Sequence, residues 1–318
     1  VHELAARSDV FVQNFRKGVA GRLGLDYATL RRHNEKLIYA SATGYGPEGP
    51  DSAEPSFDQL GLARSGIMMA AGDPGMPPLG IAGGIADQMG AIMLSYGILT
   101  ALFARERFGV GQEVDASHLG SMMMLQGLSV SSRLMMGWAM PRQARATAGN
   151  PLWNHYRCAD DKWIALGMLQ PDRYWKDLCD ALDRPELAED ERFATMQVRA
   201  AHAAEAVATL DEIFAEKPRE AWMRALREHA GDFIFTVVNE VGDLPDDPQV
   251  RANDYVVDFD HPQHGKTEVM GLPVRLSETP GAVRSAAPEL GQHTEEILLD
   301  VLGYDWDRIT ELRNKGVL

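Results

Sequence analysis

Apolar and polar residues alternate over residues 9–15 (DVFVQNF), which predicts a strand, and the β-forming run at residues 36–43 (KLIYASAT) predicts a second. A short polar helical stretch, residues 27–34, lies between them, so the chain opens with a βαβ unit. Glycines and prolines break the pattern at residues 44–51. Residues 58–71 then predict a helix with Leu60, Leu62, Ile67 and Met68 on its apolar side. A long loop, residues 72–86, carries Pro74, Pro77, Pro78, Gly75, Gly80, Gly83 and Gly84, and loops of this length inside a domain are often functional. Asp87 stands where that loop meets a helix running to about Arg107. Gly109-Val110-Gly111 turns the chain into a short strand at residues 112–116, and a methionine-dense helix follows over residues 119–139.

The polar, glycine-containing residues 142–150 mark a domain boundary. Beyond it, residues 163–166 (WIAL) predict a strand, residues 173–229 several amphipathic helices, and residues 255–259 and 267–276 two further strands. A linker punctuated by Pro280 and Pro288 leads to two short terminal helices. The α/β character of the first part thus gives way to α+β. The longest apolar run, about residues 89–104, is interrupted by Ser95 and Gly97 and ends in Arg105-Glu106-Arg107. It predicts a buried core helix rather than a membrane span.

Composition narrows the function. The chain has 318 residues, 45% of them hydrophobic, enough for two domains with their own cores. Its 31 Lys and Arg against 46 Asp and Glu leave a net charge of −15, which disfavours nucleic acid and anionic membranes except at a local basic patch. Cys158 and Cys179 stand alone with no CxxC spacing, so neither a disulfide framework nor a zinc module is expected, and a reducing cytoplasm fits best. His261-x-x-His264 lacks a third ligand nearby and reads as two solvated histidines, so no metal is expected. The opening VHELAAR has neither an initiator methionine nor a signal-peptide stretch and has the pattern of a helix already under way, as if further residues preceded it.

Two places carry candidate chemistry. Asp87 follows a glycine-rich loop and has Ala86, Gln88 and Gly90 around it. It reads either as a helix N-cap or as a carboxylate with room for a substrate, and the two are compatible because free N–H groups at a helix start stabilise an anion. Asn14-Phe15-Arg16-Lys17-Gly18, followed by Arg22, puts basic groups directly after a strand, where α/β proteins bind ligands. A phosphate site and a solvated surface are both open there, since no GxGxxG or P-loop spacing is present. The pairs and triplets Met68-Met69, Met122-Met123-Met124 and Met135-Met136 read as core, or as the adaptable wall of an acyl pocket. No nucleophile elbow or Ser-x-x-Lys supports a hydrolase.

Several motifs in order carry a resemblance over nearly the whole chain. They are DVFVQNFR at residues 9–16 with RLGLD at 22–26; LIYAS at 37–41 with Gly44-Tyr45-Gly46 and Gly49-Pro50; Ala86-Asp87; and RER at 105–107 with GVGQEVDAS at 109–117. Gly149-Asn150-Pro151, Asp247-Pro248-Gln249 and LGQHTEE at 290–296 continue the set. The sequence resembles the class III CoA-transferases, the family of formyl-CoA transferase, carnitine CoA-transferase and α-methylacyl-CoA racemase.

The resemblance implies that Asp87 is the nucleophile, passing through an aspartyl anhydride and an aspartyl-CoA thioester while CoA moves from an acyl-CoA thioester to a free carboxylic acid. It implies CoA contacts at Asn14, Phe15, Arg16 and Arg22, and a substrate pocket at Phe57 and Asp58. It implies no permanently bound cofactor, with coenzyme A entering as acyl-CoA substrate. The implied assembly is an interlocked homodimer with a Rossmann-like large domain built from both chain ends and a smaller α+β middle domain. In residue terms, 1–120 begin the large domain, 121–150 form a linker helix, 151–255 the small domain, and 256–318 a linker and the C-terminal return.

Racemases of the family use a histidine as second base where aligning Asp58 puts Phe57, so transfer is favoured over α-proton exchange. Two features depart from the family pattern. The family's N-terminal βαβ segment, which precedes the first motif, is not represented, and Asp232-Phe233-Ile234-Phe235 does not match the glycine loop that closes over the site of formyl-CoA transferases, which disfavours oxalate and formyl-CoA. An acyl-CoA racemase or isomerase, and a catalytically impaired CoA-binding protein, are the alternative functions.

Overall fold

Three parallel strands, β1 (Val10–Gln13), β2 (Ile38–Thr43) and β3 (Gln112–Ser117), form a sheet in that order, with Val10 opposite Ile38 and Ile38 opposite Gln112. Parallel neighbours need long crossovers. The first contains the short helices Val19–Arg22 and Tyr27–Leu30, and the second contains helices Asp58–Ser65, Ile67–Ala70 and Ile85–Phe108. The central strand β2 begins with the buried run Ile38, Tyr39, Ala40, as expected of a strand covered on both faces. Ala5, Leu30, Leu37 and Tyr39 form one cluster beside it.

The computed structural model describes residues 1–318, and these divide into two compact units, residues 1–142 with 291–318 and residues 143–290. The chain is thus a mixed α/β protein. In the first unit the C-terminal segment returns to the N-terminal helix His2–Ala5. There the Tyr304 hydroxyl donates to Glu3 Oε1 at 3.0 Å, and the Arg7 guanidinium donates to the Val301 carbonyl.

Two helices expected to be continuous are each broken once. Gly66, at φ 88°, ends Asp58–Ser65 in the left-handed conformation that glycine adopts at least cost. Gln126 leaves helical geometry between His118–Leu125 and Gly127–Met136, and its side-chain amide donates to the carbonyls of Ser65 (3.2 Å) and Met122 (3.1 Å). The long loop before Asp87 is held from two sides. The Leu79 N–H donates to the Met68 carbonyl at 2.9 Å. The Arg142 guanidinium donates to the carbonyls of Met68 (2.8 Å), Pro77 (3.1 Å) and Met76.

Helix Ile85–Phe108 corrects the expectation of a buried core helix. Ala86, Leu94 and Ala101 are buried on one face, while Ile92, Tyr96, Leu99 and Phe103 on the opposite face are 60–66% exposed. Its serine and threonine hydroxyls are satisfied within the helix, Ser95 donating to the Ala91 carbonyl and Thr100 to that of Tyr96, both at 2.8 Å. The helix is long and apolar enough to cross a membrane, but the single chain covers only the side that faces the sheet. The methionine clusters likewise divide: Met122 is buried, whereas Met69, Met124, Met135 and Met136 are exposed.

The second unit is built on an antiparallel sheet of β4 (Trp153–Arg157), β5 (Trp163–Gly167) and β6 (Phe235–Val238). The sequence pattern marks β5 but not its neighbours. Helices Pro171–Ala181, Ala203–Phe214 and Arg219–Glu228 supply Leu178, Leu210, Phe214, Trp222 and Leu226 to its core, where Phe214 stacks on Tyr156. Residues 256–290 also belong to this unit. They include the hairpin of β7 (Val256–His261) and β8 (Gly265–Met270), with β8 ending well short of residue 276. His261 serves that hairpin, its Nδ1 accepting from the N–H groups of Gln263 and His264.

Cys158 and Cys179 are both unpaired and buried, and burial pushes their thiols up to about 11 and about 12. At pH 8 burial holds both thiols away from the reactive thiolate form. Iodoacetamide at that pH should therefore leave the native protein unlabelled and modify both residues only after denaturation, as intact-mass spectrometry would read. Labelling of the folded protein would contradict the burial.

Candidate active site

All three strands of the first unit end at one cleft of about 920 Å³. Asn14, Phe15 and Arg16 follow β1, Thr43 closes β2, and His118 follows β3; all line the cleft, together with Phe57 and Asp87. Ligands of open parallel sheets bind beyond the carboxyl ends of the strands, so the position has a topological cause. Lys17 spans one side, its Nζ donating to the Pro47 carbonyl (2.7 Å) and to Ser52 Oγ (2.8 Å). On the floor, Thr43 Oγ1 donates to Asp115 Oδ1 at 3.1 Å. Surrounding protein atoms push the Asp115 carboxyl above its usual range, and the Thr43 bond opposes them.

Asp87 lies in the first turn of its helix but is not the N-cap. Gly84, at φ 67°, holds that place after Gly83 at φ 101°, so the approach runs through two successive left-handed positions that suit glycine. Capping comes from another helix. Asp58, in the first turn of Asp58–Ser65, accepts from the N–H groups of Ala86 (2.7 Å) and Asp87 (3.3 Å) through the same Oδ1. Asp58 is expected at the substrate pocket, yet its carboxylate works here on the helix start and does not line the cleft.

The Asp87 carboxylate is thereby freed from its own helix. Its Oδ1 lies 3.1 Å from His118 Nε2, the Asp87 side chain being 58% exposed and that of His118 20%. His118 Nδ1 lies 3.3 Å from Ser56 Oγ. Sequence reasoning passed over both His118 and Ser56; the available signal was His118's place at the end of β3.

Of the expected CoA contacts, Asn14, Phe15 and Arg16 are brought together at the cleft, while Arg22 lies just outside its lining. The Arg22 Nη1 sits 3.4 Å from where a Cβ on Gly18 would be, over the loop that leads out of β1. Neither Arg16 nor Arg22 forms an ion pair, which leaves two uncommitted guanidinium groups on an acidic molecule. Such groups bind phosphates bidentately.

The chain matches the model of CoA-transferase family III over residues 1–294 and belongs to that family. It is accordingly a CoA-transferase, an enzyme that takes CoA thioesters as substrates. It is 33% identical to the succinyl-CoA–L-malate CoA-transferase beta subunit of Chloroflexus aurantiacus over 99% of this chain and 78% of that one. Formyl-CoA:oxalate CoA-transferase of Streptomyces coelicolor is 29% identical, over 99% of this chain and 80% of its own. Among solved structures, a CAIB/BAIF family protein from Brucella suis superimposes with a TM-score of 0.83 at 27% identity, covering 94% of this chain and 77% of that one.

Replacing Asp58 by alanine should cost about 1–2 kcal/mol, the usual loss when a helix-capping acceptor is removed. The measurement is urea unfolding, with Asp58→Asn, which keeps an acceptor, recovering part of the loss. Equal stability of Asp58→Ala and the wild type would show that the two bonds contribute nothing.

Proposed function

We propose that the enzyme moves CoA from an acyl-CoA thioester to a free carboxylic acid with Asp87 as covalent nucleophile. The observation that carries this is a carboxylate on the first turn of a helix, facing a cleft, whose local N–H groups are satisfied by a different aspartate. One Asp87 oxygen attacks the thioester carbonyl carbon and the C–S bond breaks, giving a mixed anhydride and CoA thiolate. The thiolate attacks Asp87 Cγ and expels the donor carboxylate, leaving an aspartyl-CoA thioester. An acceptor carboxylate then attacks Cγ and the sequence reverses. A carboxylate is a weak nucleophile, so held geometry and donors aimed at developing charge must supply the rate.

Arg16 and Arg22 take the nucleotide phosphates, and exposed Phe15 offers an apolar face to the adenine end. Phe57 at the cleft carries no base, which supports transfer over α-proton exchange. The two unpaired thiols support a reducing, cytoplasmic setting.

We also propose a homodimer. Ile92, Tyr96, Leu99 and Phe103 recur at helical spacing as an uncovered apolar stripe, and covering the area they still expose is favourable at about 25 cal/mol per Å². A second copy of the chain supports such a stripe without a membrane.

Incubation with a panel of acyl-CoA thioesters plus hydroxylamine should leave an acyl-dependent hydroxamate on the Asp87 peptide, read by mass spectrometry. Asp87→Ala should lose the adduct and at least about 10³-fold in kcat. Turnover without any Asp87 adduct would overturn the covalent route. In sedimentation velocity the wild type should run at twice the 35.0 kDa chain mass and Leu99→Asp at the chain mass. A wild-type monomer would remove the dimer.

A further inference from the structure

His118 opens a helix at the end of β3, and its ring reaches Asp87 through a slot that two glycines keep clear. A Cβ on Gly61 would stand 2.9 Å from His118 Cβ and 2.8 Å from Ala86 Cβ; one on Gly90 would stand 3.3 Å from His118 Cδ2. The ring is tethered at both nitrogens, Nε2 to Asp87 Oδ1 and Nδ1 to Ser56 Oγ, and Ser56 Oγ lies 3.4 Å from the Phe57 carbonyl oxygen. This chain holds in either charge state of the ring. A neutral ring donates Nε2–H to Asp87 and accepts the Ser56 hydroxyl at Nδ1. A charged ring donates from both nitrogens, and the Ser56 hydroxyl turns to the Phe57 carbonyl. In each case an N–H is aimed at Asp87 Oδ1.

We propose that His118 is a catalytic residue of the transfer, orienting the Asp87 carboxylate and then stabilising the negative charge that collects on its Oδ1. The inference rests on Asp87 being the nucleophile. With Oδ1 occupied by His118, Oδ2 is the oxygen that attacks the thioester carbon and becomes the bridge of the anhydride. When CoA thiolate adds to Cγ, the Cγ–Oδ1 π pair moves onto Oδ1. The pair returns as the Cγ–Oδ2 bond breaks, and the donor acid leaves as its carboxylate, carrying Oδ2 with it.

Attack of the acceptor carboxylate on the aspartyl thioester places charge on Oδ1 a second time, and CoA thiolate departs. Thiolate attack on the acceptor's carbonyl carbon then releases the new thioester and restores the Asp87 carboxylate. No proton changes hands, so a fixed donor serves where a mobile acid is not needed. Oδ1 is the atom that stays in place through every step, and it is the atom His118 holds. Ser56 acts through His118 as a positioning residue.

The test measures kcat and KM with the acyl-CoA and acceptor pair that the wild type turns over best, beside hydroxylamine trapping at Asp87. His118→Ala should lower kcat about 10²-fold, the scale of one lost oxyanion donor, with KM for acyl-CoA within about three-fold. His118→Gln, which offers an amide N–H toward Oδ1, should recover at least about ten-fold of that loss, and Ser56→Ala should lower kcat about three- to ten-fold at unchanged KM. A wild type that forms the Asp87 hydroxamate while His118→Ala keeps wild-type kcat, or loses only through KM, overturns this inference and leaves the nucleophile standing. A wild type that turns over without the hydroxamate removes the nucleophile and this inference with it. If His118→Ala does not fold, wild-type kcat in folded Ser56→Ala overturns the proposal, and its loss of about three- to ten-fold in kcat at unchanged KM supports it.

Discussion

The first unit depends on one carboxylate acting at a distance from its own backbone. A helix start leaves N–H groups without partners, and the usual remedy is a side chain at the cap. Here the cap is glycine, which has no side chain, and Asp58 supplies the acceptor from another helix. The starts of two helices are thereby tied together. A second aspartate in the same first turn is also left with its charge turned outward. Had Asp87 capped its own helix, its oxygens would have been occupied by backbone N–H groups.

Much of this was legible along the chain. Strand β1 follows alternation, because a half-covered strand places apolar residues at period two, while β2 is read from its continuous β-forming run, as a strand covered on both faces requires. The glycine-rich approach to Asp87 is visible because left-handed backbone has a narrow residue preference. The ordered motifs give the family, and the family gives the chemistry. What was not legible depends on partners remote in sequence. Nothing near Asp58 announces that it bonds residues 86 and 87, and nothing near His118 announces Asp87 or Ser56. The two missed strands of the second unit are short, and Trp153–Arg157 places apolar Trp153 on its open face and polar Asn154 on its buried one, which blurs the alternation.

The misreading of helix Ile85–Phe108 has a different origin. Apolar residues on both faces are the signature of a fully covered helix, and the chain has material for only one cover. Periodicity reports that a face is to be hidden and does not report by what. Asp87, the proposed nucleophile, stands in the first turn of this same helix, so in the proposed dimer the element that joins two copies of the chain would also carry the reacting group.

Arg142 brings another constraint. It is the last residue of the first unit before the chain passes into the second, and its guanidinium ties two carbonyls of the loop that leads toward Asp87, Met76 and Pro77, to that of Met68 in helix Ile67–Ala70. The splice site between the two units is therefore sharply defined. Recombination that exchanged the second unit for another would keep the loop's staple if the crossover fell after residue 142. A crossover a single codon earlier would discard it. The joint is a modular one whose permitted cut is set by the geometry of the active-site approach.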